Sequence, residues 1–319
     1  MKKIFVTGAA GFIGSSFCKK ILESTSVFII AIDNFDSFYE KSIKVDNLSK
    51  LLCYKNFQFV ECDINEVDRL SDLIENCDCI VHFAAKAGVR PSLLDPISYI
   101  NVNVTGTVGL LEKASKLKVP KFIFASSSSV YGINQEVPWR ESADLMPIST
   151  YALSKLAGEQ FGKYYSDTFG LNFIALRFFT VYGPSQRPDL AIHKFFKKIY
   201  FDECLDVFGE GDTLRDYTYI DDVVDGVVKA LYYEQSKFEV FNLGNSNCVS
   251  LSSLIALIEE TIGKRAIIKY RPEQVGDVPK TYADISKAKK LLGYSPNTEI
   301  KEGLNLFFNW FKNTYELQL

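Results

Sequence analysis

Histidine is scarce: the 319 residues include 2, His82 and His193. A zinc centre or a histidine-based triad would have little to draw on, and no metal is expected. Positive charge is not in surplus either. Lys and Arg number 36 against 39 Asp and Glu, a formal net charge of −3. With no basic excess to neutralise phosphates, a dedicated nucleic-acid binder is not expected. No apolar run approaches the ~20 residues of a membrane span. The densest, Val27 to Ile32, stops at Asp33. The opening MKKIFVTGAAG leads straight into a strand-and-turn pattern, without the cationic, apolar and cleavage regions of an export signal. The 7 cysteines are scattered and odd in number, with no CxxC pair. Reduced thiols and a cytoplasmic location are therefore expected. Repeats, low-complexity tracts and linkers are absent. What remains, 47% hydrophobic and 24% charged, is an ordinary globular composition for one large domain or two medium ones.

The first half alternates two kinds of pattern. Short β-branched and aromatic runs at Lys3–Thr7, Val27–Ile32, Phe57–Cys62, Cys79–Ala84, Lys121–Ala125 and Asn172–Leu176 read as strands buried on both faces. Helical patterns over Phe12–Leu22, Glu66–Glu75, Val102–Lys116 and Tyr151–Thr168 separate most of them. This alternation predicts an α/β fold, a Rossmann-type doubly wound parallel sheet. Residues 1–177 are expected to form that dinucleotide-binding domain, with part of 216–243 packing back onto it. From 178 to 319, Gly, Pro and charged residues punctuate the chain and the strands become isolated, as in a smaller α/β substrate domain.

Three motifs carry chemistry. Gly8-Ala-Ala-Gly11-Phe12-Ile13-Gly14 follows a strand and opens a helix. Glycines there allow a tight turn and close approach of backbone to a pyrophosphate, whose charge the helix N-terminus favours. A turn that merely uses small residues is the alternative. Asp33 ends the second strand about 20 residues on, where a carboxylate accepts from ribose hydroxyls. Asn34 and Phe35 follow it rather than Arg or Lys, so NAD is favoured over NADP. Asp63 and Ile64 are a candidate adenine contact, with an ordinary turn Asp as the alternative. Phe83, Ala84 and Ala85 offer small residues where a dinucleotide passes, or simply end a buried strand.

Tyr151 and Lys155 lie four apart on a helix and so on one face. A free tyrosine, with a pKa near 10, is a poor base at neutrality. A neighbouring ammonium and a nicotinamide cation favour its phenolate. The alternative is an exposed aromatic–cation pair. Ser126 to Ser129 end the fifth strand, where a hydroxyl can hold a substrate oxygen beside the tyrosine; a polar turn is the plain reading. Whether Ser126 or Ser127 is that hydroxyl is open.

Together these elements resemble the extended short-chain dehydrogenase/reductases over essentially the whole chain, and more narrowly the nucleotide-sugar epimerases, most of all those acting on UDP-glucuronate. The strings that carry the likeness are Phe83-Ala-Ala-Lys-Ala-Gly-Val-Arg90, Arg177-Phe-Phe-Thr-Val-Tyr-Gly-Pro184, Arg187-Pro-Asp-Leu190, Arg215-Asp-Tyr-Thr-Tyr-Ile-Asp-Asp222 and Gly276-Asp-Val-Pro279. The resemblance implies a UDP-sugar 4-epimerase that works through a 4-keto intermediate with tightly held NAD. It implies Ser127 as catalytic hydroxyl, Tyr151 as base and Lys155 as its partner. Asn103 and Phe178 fall at cofactor positions. Arg215 and Asp277 match positions that hold the UDP diphosphate and ribose, although Arg215 in a mixed-charge loop also reads as a surface ion pair. Arg90, Ser128, Ser129, Thr180, Arg187, Val207, Phe208 and Gln274 complete the implied substrate site. Gln274 and Thr180 follow the glucuronate-type pattern. A homodimer through the helices Val102–Lys116 and Tyr151–Thr168 is the family habit.

Related 4,6-dehydratases place Asp-Glu where this chain has Ser128-Ser129, and related decarboxylases place Glu at the second position. A hydroxyl cannot replace that acid, which leaves simple epimerisation. One departure stands out: Ser185-Gln186 replaces the Trp-Gly usual before the family's Arg-Pro-Asp. UDP-N-acetylglucosamine and UDP-glucose therefore stay as alternative substrates, and Thr281, where narrow-pocket relatives carry Tyr, leaves room for an N-acetyl group. A net NAD-dependent oxidoreductase and a non-catalytic NAD-binding sensor are the competing functions. The substrate is thus expected to be a UDP-sugar, with no nucleic-acid or membrane partner.

Overall fold

In the computed structural model, which describes residues 1–273 and 276–316, twelve strands are assigned. They are β1 (Lys3–Thr7), β2 (Phe28–Asp33), β3 (Phe57–Glu61), β4 (Cys79–His82), β5 (Lys121–Ser127), β6 (Asn172–Phe178), β7 (Thr180–Tyr182), β8 (Cys204–Phe208), β9 (Leu214–Tyr219), β10 (Phe238–Leu243), β11 (Cys248–Ser250) and β12 (Ile267–Arg271). Seven form one sheet in the order β10-β6-β5-β4-β1-β2-β3. Every pairing in it is parallel. Such strands are covered on both faces, which is why Ile4, Phe5 and Val6, or Cys79, Ile80 and Val81, are entirely buried without alternation. The chain runs outward from β1 to β3, then restarts at β4 on the other side of β1. That reversal opens a crevice beyond the carboxyl ends of β1 and β4, where ligands of doubly wound folds bind.

The seventh strand comes from late in the sequence. The helix Ile220–Leu231 packs against the helix Phe12–Ser24, and β10 then pairs with β6, Leu243 beside Phe178. The strands after Arg177 are therefore not all isolated. The remaining strands form two small sheets, β11-β9-β7 and β12-β8. No described helix is long and apolar enough to cross a membrane, and all seven cysteines are free thiols.

One expected helix divides. Its first part, Ile100–Gly106, is a π-helix that passes into an α-helix at Thr107–Lys116. The wide turn seats Asn103, whose Oδ1 accepts from Lys86 N (2.8 Å) and whose Nδ2 donates to Lys86 O and Ser154 Oγ (both 2.9 Å). Such local widening commonly marks a functional region. The helix Thr150–Phe169 begins cleanly because the Ser149 hydroxyl accepts from Ala152 N.

Candidate active site

The glycine loop is shaped by close approach. Gly8 has φ +70°, and a Cβ there would sit 2.6 Å from Ala84 N. A Cβ on Gly14 would sit 2.2 Å from Gly8 O. The loop thus packs directly on the segment after β4, and Gly11 caps the helix Phe12–Ser24 without offering a side-chain acceptor. The first-turn N–H groups are left for an anion.

Asp33 closes the far side. Its Oδ2 accepts from Ala10 N (3.1 Å) and its Oδ1 from Phe35 N (2.9 Å). Burial pushes its pKa up, and the Lys44 charge and these two bonds pull it back. A carboxylate tied to the glycine loop and turned to the cavity is what a ribose diol needs. Asn34 is steadied by donating to Asp63 Oδ2 at 2.7 Å.

A continuous cavity of about 510 Å³ begins here and runs to Thr281. Gly8, Gly11, Phe12, Ile13, Gly14, Asp33, Asn34, Ile64, Phe83, Ala84, Ala85 and Phe178 line its dinucleotide end. The residues fit NAD: the glycines have no room for a side chain, the helix end is open, and the Asp33 carboxylate would face a 2′-phosphate with like charge. Ser127, Ser128, Ser129, Tyr151, Lys155, Thr180, Arg187, Arg215, Asp277 and Thr281 line the rest.

The reactive cluster sits where the two ends meet. Tyr151 and Ser127 both line the cavity here, and Ser127 acts to lower the Tyr151 pKa. Ser127 Oγ also accepts from Ser129 N (3.2 Å) and Ser129 Oγ (2.9 Å). Ser126 faces the other way and donates to buried Glu159 at 2.5 Å. Ser127 is therefore the hydroxyl on the cavity side. Lys155 Nζ lies 6.0 Å from the centre of the Tyr151 ring and donates to Ala125 O at 2.7 Å. Burial raises the Tyr151 pKa, and Ser127 and the Arg187 charge oppose it. Burial also draws Lys155 down to about 7, with Glu159 acting against it.

Other expected contacts lie behind or beside the cavity. Asn103 braces the segment after β4 from outside the lining. Asp63 acts through Asn34. Arg90 pairs with Asp277 at 2.5 Å and stands over the Phe208 ring, so neither Arg90 nor Phe208 lines the cavity. Val207 is buried in β8. Gln274 lies outside the described residues. Arg215 is no surface ion pair; it donates to Leu214 O and is largely enclosed at the cavity wall, where burial lowers its pKa.

The sequence pattern missed several lining residues. Phe38, Tyr39 and Lys44 come from the stretch after Asn34, whose aromatic residues in an otherwise polar turn were the available signal. Asp189 was hidden in plain sight beside Arg187: it accepts from Arg187 Nε (2.9 Å) and Nη2 (2.8 Å).

The family model described as GDP-mannose 4,6 dehydratase matches residues 5–307. The UDP-glucuronate 4-epimerase of Thermodesulfobacterium geofontis is 39% identical, the match spanning 98% of this chain and 97% of that protein. The crystal structure of UDP-glucuronic acid 4-epimerase from Bacillus cereus with UDP-glucuronic acid and NAD has a TM-score of 0.94 at 38% identity, covering 98% of this chain and 100% of that one. The UDP-glucose 4-epimerase of Thermotoga maritima with UDP-glucose follows at TM-score 0.90 and 33% identity, covering 98% and 99%. A match across nearly the whole sequence, on the same fold, makes this chain a member of the GDP-mannose 4,6-dehydratase family, among the extended short-chain dehydrogenase/reductases.

Proposed function

We propose that this protein is a UDP-sugar 4-epimerase with retained NAD, interconverting UDP-glucuronate and UDP-galacturonate. The observation that carries the reading is the Ser127–Tyr151–Lys155 cluster at the junction between a dinucleotide groove and a pocket walled by Arg187 and Arg215. The Bacillus cereus epimerase, crystallised with UDP-glucuronic acid and NAD, supports it. Residues 1–177 with the returning stretch within 216–243 are assigned to NAD, and the remainder of 178–319 mainly to the UDP-sugar.

When bound, NAD supplies the hydride acceptor and donor at C4. Tyr151 Oη takes the proton of the 4-hydroxyl and returns it later, so no net acid or base is consumed. Ser127 holds the same oxygen in line with the phenol. Lys155 supplies positive charge near the ring, which favours the phenolate. Ser128 and Ser129 stand where dehydration or decarboxylation would need a carboxylic acid, so the keto sugar has no exit but re-reduction. The small hydroxyls of Ser127, Ser128, Ser129 and Thr180 donate or accept in either orientation of a turning sugar. Arg215 presents a planar fork to the diphosphate.

Arg187 is the group suited to a C6 carboxylate, since an unpaired carboxylate in this cavity would be costly. Its Nη1 is left over from the Asp189 pair. That same pairing favours a second reading: with Arg187 neutralised, a neutral sugar such as UDP-N-acetylglucosamine also fits, and Thr281 gives it space. A panel of UDP-sugars assayed by product analysis separates the two. Arg187→Ala should depress turnover of UDP-glucuronate far more than that of any neutral UDP-sugar; equal losses refute the uronate reading. We further assign a cytoplasmic homodimer, supported by the free thiols and by Leu153, Phe161 and Tyr164, exposed apolar groups on the helix Thr150–Phe169.

A further inference from the structure

The end of β5 meets the helix Thr150–Phe169 in a ladder of three rungs. Ala125 O accepts from Lys155 Nζ, Ser126 Oγ donates to Glu159 Oε1, and Ser127 stands by Tyr151, whose pKa it acts to lower. Three consecutive strand residues thus engage three helix residues spaced four apart, at positions 151, 155 and 159, which share one helix face. The helix comes close enough because residue 158 is glycine: a Cβ there would stand 2.3 Å from the Phe124 ring. Two of these rungs hold the reactive pair. The middle rung is not used by the chemistry described above, yet it contains a buried carboxylate.

Glu159 is held from behind. Arg177 on β6 grips it with two bonds, Nε to Oε1 at 2.9 Å and Nη2 to Oε2 at 2.7 Å. Arg177 is itself fixed by Tyr131 Oη, to which it donates at 2.9 Å, and Tyr131 donates to Asn242. Both members of the ion pair are about 97% shielded from solvent, at 3% and 2% exposure. A buried pair is weak evidence of stabilisation in itself, because desolvation offsets the attraction. Its position is what matters here, one helical turn behind a lysine that is also buried.

We propose that Glu159 is a positioning residue for the reactive pair: its fixed carboxylate favours the ammonium form of Lys155 beside Tyr151. The inference rests on Tyr151 as the base. The groups facing Lys155 are few. Its own helix presents Tyr151 and Glu159. From β5 come the Phe124 ring, 5.0 Å from Nζ, and the Ala125 carbonyl. From β4 comes His82, which burial and the Lys155 charge drive down to about 3, so it is neutral. Glu159 is the anion acting on Lys155, and it opposes the effect of burial.

On this proposal Tyr151 and Lys155, with Nζ 6.0 Å from the ring centre, share their protons as a pair. After loss of one proton the pair exists as phenolate–ammonium or as phenol–amine, with the same net charge. Only the first form has the base ready. Glu159, adjacent to Lys155, favours it. Neutralising Glu159 transfers population to phenol–amine, and no change of pH restores it, because the two forms differ by no proton. The signature is a lowered kcat plateau with an unmoved KM.

The test compares Glu159→Gln, Glu159→Gln/Arg177→Leu and Tyr151→Phe with the wild type, measuring kcat and KM across pH and the melting temperature of each. The single variant leaves the Arg177 guanidinium buried and unpaired, so it is expected to melt lower. The double variant removes that unpaired charge and recovers stability. We expect kcat to stay about tenfold down in both, which follows if Lys155 loses its proton one pH unit lower, with KM within about twofold. Recovery of kcat together with stability in the double variant would overturn the proposal and leave Glu159 a purely structural residue. An inactive Tyr151→Phe beside a fully active double variant refutes this proposal alone, whereas an active Tyr151→Phe refutes the base assignment beneath it. If the neutral variants do not fold, Glu159→Asp decides. Retaining the charge, it should keep kcat within about threefold, and a larger loss at unchanged stability counts against the proposal.

Discussion

Replacing Asp33 with Ala tests the dinucleotide end of the site in isolation. In the folded protein the carboxylate already accepts two backbone N–H groups, one from the glycine loop and one from Phe35. Its remaining lone pairs face the cavity. A hydrogen bond to a charged acceptor contributes about 1.5–3 kcal/mol net, so losing one ribose bond weakens NAD by roughly ten- to a hundredfold. The effect on NADP has the opposite character. A 2′-phosphate about 4 Å from this carboxylate meets a repulsion on the order of 4 kcal/mol at an effective dielectric of 20. Solvent at the cavity mouth weakens that figure, and the Lys44 charge, which acts on Asp33, weakens it further. Even a quarter of it amounts to several-fold in affinity. Asp33→Ala should therefore bind NAD more weakly and NADP no worse, and the wild-type preference for NAD should narrow by at least tenfold. Calorimetric titration of protein stripped of dinucleotide measures both constants directly. Wild type preferring NADP, or a preference unchanged in Asp33→Ala, refutes the reasoning.

Two further outcomes follow from the geometry. Lys155→Ala removes the ammonium beside a tyrosine whose pKa burial already raises; the rise of kcat with pH should move to higher pH, and an unmoved pH–rate profile would contradict the role given to Lys155. Gly14→Ala would force a Cβ to within 2.2 Å of Gly8 O; both groups are backbone-bound, so the loop must shift, and NAD retained on purification should fall, which ultraviolet absorbance of the denatured protein would show.

Much of this was legible in the sequence because its physics is local. The buried strands announce themselves as unbroken apolar runs, the glycine spacing reports a turn packed against its neighbours, and the four-residue interval places Tyr151 and Lys155 on one face. Asp33 is readable because it ends a strand at the expected distance from the loop. The choice between Ser126 and Ser127 was not readable, since the two are chemically the same. Only the pleat, which sends successive side chains to opposite sides, gives one to Glu159 and the other to the cavity. Long-range pairings were equally hidden. Arg90 meets Asp277, 187 residues further along the chain, and β10 completes a sheet begun more than two hundred residues earlier. The π-turn that seats Asn103 looks like any helix in sequence, and the Lys86 backbone that Asn103 bonds lies on a distant stretch of chain. Nothing in the string Arg187-Pro-Asp-Leu190 says that Asp189 turns back onto the arginine.

The central claim is that one hydride leaves C4 and returns to the opposite face of the same carbon within one closed site. UDP-glucuronate deuterated at C4, incubated with purified protein and no added cofactor, tests this by nuclear magnetic resonance and mass spectrometry of the products. UDP-galacturonate should form with the deuterium still on C4. Deuterium lost to solvent, or a keto sugar accumulating with reduced dinucleotide, would contradict it.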